Sequence, residues 1–183
     1  MFDGLALQGP SIFIDGLIWL VGFGLVGISE ELMYRGYLQN TLVRGIGNWP
    51  AIVILSLLFA AAHIQNSGES VLGIVCVFMA GILFCVLRWQ SGSLWLGIGM
   101  HAAWDWAQSY FYGTPDSGLL VEGHLLTSHA VGDVRMSGGS VGPEGSLLAQ
   151  PTLLLGLLAL ILICRRIKST ERGERYGVSP GMN

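Results

Sequence analysis

Five apolar stretches follow one another along the chain, each close to the roughly 20 residues that carry a helix across a bilayer. The first runs from Ser11 through Ile28 and continues as helix to about Val43; the others are Trp49 to about Asn66, Val71 to Trp89, Ser93 to Tyr112, and about Leu147 to Ile167. In hydrocarbon a helix satisfies its own backbone, which an irregular or open-edged segment cannot. The pattern therefore predicts an all-α, polytopic membrane bundle of about five transmembrane helices, with the lipid bilayer as its surroundings. Composition agrees: 11% of the 183 residues are charged and 52% are hydrophobic, whereas a soluble domain carries roughly 25% charged residues. A net charge of −3 argues against nucleic acid as a partner. Cys76, Cys85 and Cys164 all lie in apolar runs, at spacings that suit neither a zinc ribbon nor a redox pair.

The joints Gly45 to Asn48, Gln65 to Ser70 and Gln90 to Gly92 are short, so successive helices should run antiparallel. Residues 1–168 read as one core, interrupted by a long extramembrane loop at 113–146 and followed by a polar tail at 169–183 that should fray. The N-terminus has neither a basic start nor a small-residue cleavage site, so insertion by an uncleaved first helix is expected. Arg44, Arg88, Arg165, Arg166 and Lys168 fall on one side of such a bundle. Asp3, Glu69, Asp116, Glu122, Asp133 and Glu144 fall on the other, against Arg135 alone. The positive-inside rule then puts the C-terminus in the cytoplasm, in what reads as a bacterial inner or plasma membrane.

Against this background the ionisable residues inside the helices stand out, because charge in a membrane span is costly and marks a working site. Glu31 and Arg35 are four apart on one helical face and can pair. Glu30 is turned about 100° away and cannot share that arginine equally. An unpaired carboxyl in an apolar setting suits a general base. On the second helix Phe59 precedes His63 by one turn; on the fourth His101 precedes Asp105 by one turn, with Gly97 placed to let another backbone approach. At about 1.5 Å per residue from the cytoplasmic ends, Glu30 and His63 each lie roughly 20 Å deep and Asp105 roughly 18 Å, so all reach one level. Other features are weaker. Gly22, Gly24 and Gly27 suggest close helix packing, His124 and His129 read as solvated loop residues, Gly142 to Gly145 reads as a turn, and Trp95, Trp104 and Trp106 carry no assigned chemistry.

EExxxR, FxxxH and HxxxD on three successive apolar helices resemble the CAAX-protease and bacteriocin-processing (Abi) family of intramembrane endopeptidases. The resemblance covers about Ile28 to Tyr112 and includes Gly36-Tyr37-Leu38-Gln39. It implies a hydrolase in which Glu30 and His63 activate a water, while His101 and Asp105 face the oxyanion. Glu31, Arg35 and Phe59 would support them. The substrate would be a peptide or protein, membrane-associated or lipidated. Metal stays open. Glu30, His63 and His101 make a two-histidine, one-glutamate set of the kind that holds catalytic zinc, yet no HExxH pattern is present, and the expectation is that no metal is obligatory. Relatives commonly carry helices ahead of the EExxxR helix, which here starts almost at Met1, so a minimal core, a truncated product and a fragment are all open. So are two other functions: a non-catalytic scaffold or immunity protein of the same fold, and a proton or ion transporter using Glu30, Arg35 and Asp105.

Overall fold

The computed structural model describes residues 11–176, with side chains to residue 166. Asp3, the Lys168 side chain and the end of the tail at 177–183 lie outside the described residues. Helix α1 (Ser11–Glu31) passes without a break through a wide π turn (Leu32–Leu38) into α2 (Gln39–Ile46). Gly47, at φ 80°, ends it in a conformation that favours glycine. Helix α3 (Asn48–His63) follows with Pro50 in its first turn, where a missing N–H costs nothing. Helix α4 (Val71–Ser91) is capped by Ser70, whose Oγ accepts the Gly73 N–H at 3.1 Å, and is closed by left-handed Gly92. Helix α5 (Trp95–Trp106) runs into a second π turn (Ala107–Phe111). The long loop holds only the short α6 (Val134–Ser137) and a 3₁₀ turn (Pro143–Gly145) before α7 (Ala149–Tyr176).

The protein is a helical membrane bundle. Ser11–Ile46, Val71–Ser91 and Ala149–Arg166 are each long and apolar enough to span a bilayer, and Asn48–His63 is a shorter apolar helix. Among the described residues, β structure is limited to one isolated bridge between Asp116 and Leu119. Helix α3 packs on α4, α4 on α7, and α1 on α5. Glycines set two of these distances. A Cβ on Gly81 would stand 3.0 Å from Ser56 Cα, and one on Gly27 would stand 3.1 Å from the Ile98 carbonyl and 3.3 Å from Ala102 N. Only Gly27 of the expected cluster serves this purpose: Gly24 faces open space and Gly22 meets only Trp19 of its own helix. Phe13, Leu17, Val21 and Leu25 on the opposite flank of α1 are exposed, as a lipid-facing surface would be.

Two boundaries differ from the sequence reading. Helix α3 stops at His63 and not near Asn66, because the chain turns there, with Asn66 N donating to His63 O at 3.0 Å. Helix α7 does not fray after Arg165 but continues to Tyr176; the Arg, Lys and Glu residues of that stretch are good helix formers. The polar ends sort as the short joints require. Trp19 Nε1 donates to Glu122 O at 2.9 Å and Ser140 Oγ to Gly68 O at 3.5 Å, which brings the start of α1, the α3–α4 joint and the long loop to one end. Arg44, Asn48 and Arg88 gather around a shallow pocket at the other.

Candidate active site

Arg35 is the most deeply buried cation of the bundle, and its surroundings organise the site. Its Nη1 donates to Glu31 Oε1 at 2.9 Å, and both side chains are almost fully buried. The π turn places the guanidinium among three aromatic rings, 4.3 Å from the Phe59 centroid, 5.3 Å from Phe84 and 5.5 Å from Tyr34. Cation–π attraction is strongest where water is excluded, and here it covers a guanidinium whose Nε and Nη2 have no hydrogen-bond partner. Phe59 thus does more than precede His63: it is a wall for the arginine.

Glu31 also holds His101. The imidazole Nδ1 lies 3.2 Å from Glu31 Oε1, and a carboxylate acceptor there fixes Nδ1 as the protonated nitrogen. Phe84 stacks on the ring at 5.1 Å. Orientation of His101 therefore comes from Glu31 on α1 and not only from its helical neighbour Asp105. Gly97 serves the same contact: a Cβ there would come within 3.0 Å of Glu31 Oε2. It admits this side chain where a neighbouring backbone was expected. The other nitrogen, Nε2, looks towards two carboxyls, 3.8 Å from Glu30 Oε2 and 3.7 Å from Asp105 Oδ2. Both separations exceed a hydrogen bond.

His63 enters from α3. Its Nδ1 donates to the Phe59 carbonyl at 2.8 Å, so in the neutral ring Nε2 is the acceptor. Glu30, His63, His101 and Asp105 line one cavity of about 840 Å³. Its remaining wall is largely apolar, with Phe23, Val77, Leu83 and Leu153 contributed by α1, α4 and α7. The expected common level of the four groups is thus realised as a shared chamber. Among the described residues no three His, Cys, Asp or Glu side chains are already grouped as a metal-ligand set.

The long loop supplies walls that the helix pattern did not reveal. Glu144 is buried, accepts the Trp104 indole N–H at 3.1 Å on one oxygen, and accepts Ser117 N at 2.9 Å and Ser117 Oγ at 3.2 Å on the other. Asp116 lies beside it; burial, with Glu144 and then Asp105 nearby, pushes its carboxyl well above the ordinary 3.8. Glu69 is raised chiefly by burial too. Gly142 to Gly145 is a turn, as expected, but its glutamate ties α5 to the loop. His124 is part-buried, with Nδ1 donating to Val121 O at 3.0 Å, and is not a solvated residue. The one sequence signal for these contacts was the acidity of a loop with little basic charge, which does not specify partners.

The model for the family described as type II CAAX prenyl endopeptidase, Rce1-like, matches residues 13–107. The chain belongs to this family. The matched stretch contains Glu30, Phe59, His63, His101 and Asp105, which line the cavity, and Glu31 and Arg35 behind it. The Rce1-like family is one of CAAX-type intramembrane proteases. An uncharacterized 24.3 kDa protein of Escherichia coli is 33% identical over 87 residues, covering 46% of this chain and 39% of that relative. The chain thus spans well under half the length of the curated relative it matches. No solved structure matches it.

Proposed function

We propose that this chain is an endopeptidase that hydrolyses a peptide bond within the membrane. The observation that supports this most directly is the common cavity, where the Glu30 carboxyl and the His63 and His101 rings are held together away from lipid. A water between Glu30 and His63 Nε2 loses its proton to the Glu30 carboxylate as it attacks the scissile carbonyl. The oxyanion forms beside His101, which in its doubly protonated form keeps the Nδ1 proton on Glu31 and carries a second on Nε2 that donates to the oxyanion, while Asp105 steadies the positive ring. Asp105 thus acts through His101, which removes the difficulty of a carboxylate facing an oxyanion. Glu30 then returns the proton to the leaving amine. Glu31 and Arg35 are positioning residues, because they hold His101 by its far nitrogen.

Each step of this hydrolysis runs on the chain's own residues, with no metal in it. The apolar wall suits a substrate held at the membrane, a peptide with apolar side chains or a lipid group. With Arg44, Arg88, Arg165 and Arg166 on the cytoplasmic side of a bacterial inner or plasma membrane, the long loop lies across the bilayer from them.

The test is cleavage of a fluorogenic peptide library by the chain reconstituted in liposomes. Glu30→Ala and His63→Ala should each lose roughly 10²-fold or more of the rate, the scale of general acid–base groups. Chelation with phenanthroline should leave it unchanged. Equal cleavage by wild type and both variants would reject the mechanism and favour a scaffold of the same fold.

A further inference from the structure

A second cavity lies within the long loop. It has a volume of about 440 Å³ and is lined by residues from three parts of the loop, among them Pro115, His129, Ala130, Val131 and Met136. Leu120 lines both cavities. It is 56% exposed, and its neighbour Leu119 is 61% exposed, so neither is locked into a core. The segment carrying them is bounded by left-handed Gly118 (φ 81°) and Gly123 (φ 72°). It is held to α1 by the bond from half-buried Trp19 Nε1 to Glu122 O and to the loop by the Asp116–Leu119 bridge. The base beneath it is firm, since Glu144 clamps Ser117 against Trp104 of the site helix.

We propose that the second cavity is a subsite for the flank of the substrate polypeptide on one side of the scissile bond, reached when Leu120 swings aside. This rests on the endopeptidase reading and deepens it. The occupant is an unmodified peptide chain continuing from the membrane cavity into the loop. The two spaces share Leu120 in their walls, and the volume of the second falls within the range of about 300–1,000 Å³ usual for binding sites. Its wall mixes apolar side chains with backbone and hydroxyl groups, the mixture that a peptide backbone with short side chains requires. The protein would then favour bonds with several residues beyond the cleavage point over bonds close to a chain end.

The experiment uses the full chain in liposomes and two fluorogenic peptides with the same core. One ends about two residues beyond the cleaved bond, and the other continues for about eight, enough extended chain to pass Leu120 at about 3.3 Å per residue. The readout is the long-to-short ratio, taken as kcat/KM in the wild-type background. It is taken also as affinity, 1/Kd, by fluorescence anisotropy in a Glu30→Gln background, where binding is read without turnover. Ala130→Trp, which fills the second cavity, should lower both ratios by about tenfold. Leu120→Ala, which trims the shared wall, should hold or raise them. Should wild type cleave neither peptide, the mechanism fails, while a 1/Kd ratio that still falls with Ala130→Trp keeps the subsite. If the long peptide binds no better than the short one, or if Ala130→Trp leaves both ratios unchanged, the subsite is rejected whatever becomes of catalysis.

Discussion

The two sides of the His101 ring stand in contrasting surroundings. Towards Nδ1 everything is closed: Glu31 bonds both the imidazole and Arg35, and aromatic rings cover the guanidinium. Towards Nε2 nothing is closed: Glu30 and Asp105 stand beyond bonding distance and the cavity begins. Two adjacent glutamates thus have opposite duties. One is spent on a buried ion pair, where removing a partner costs far more than the pair contributes. The other keeps an oxygen, Glu30 Oε2, that is buried without a partner, a state that persists where chemistry needs it. A membrane protein can separate bracing from reactivity by one helical step of about 100°.

The sharpest way to break this contrast is to exchange the two glutamates' losses. Glu30→Gln should abolish cleavage, by roughly 10²-fold or more, with the melting transition in detergent kept near wild type. Arg35→Met should act the other way: the melt should fall by about 3–5 kcal/mol, as expected when a buried charge loses its partner, and the yield of folded protein should fall with it. Equal thermal losses in the two variants would erase the distinction. Asp105→Asn comes next. It keeps the shape and removes the charge beside Nε2, so a rate change of about tenfold or less is expected, read as kcat at fixed pH.

The smallest effect belongs to the loop. The Asp116 carboxyl is raised in the folded chain by burial and by its acidic neighbours. Its stabilising share is therefore complete below the ordinary value of 3.8 and is lost as pH rises through the elevated folded value. Hydrogen exchange at 114–124, corrected for intrinsic rates, should be faster at pH 8 than at pH 5, and Asp116→Asn should flatten the difference. Glu69, on the neighbouring joint, is raised by burial as well, so the flattening should be partial.

Regular spacing made the helical half of this molecule legible. Glu31 with Arg35, and His101 with Asp105, are readable because residues four apart share a face, and the apolar runs fix which faces lie inside. Which helix orients His101 was not readable, since the Glu31 contact joins residues seventy positions apart. The same holds for Phe84, which signals nothing in an apolar helix, and for Glu144, whose partners Trp104 and Ser117 are set by the path of an aperiodic loop. The loop's acidity was visible, but its burial was not, because burial there follows from turns at left-handed glycines and not from hydropathy.

The π turn between α1 and α2 has a consequence for how such a chain tolerates change. It amounts to one residue inserted into an α-helix, marked by Gln39 N reaching back to Tyr34 O. A single residue deleted within the turn would rewind it to regular α-helix with both flanks still in phase, whereas the same deletion in a straight stretch would rotate everything beyond it by about 100°. Buried Gln39, which reaches across to the Cys85 carbonyl, would keep its mark in the first case, with Glu30 and Glu31 still facing α5. The wide turn lets the acidic end and the docking end of one long helix be aimed separately, like two hands set on a single shaft.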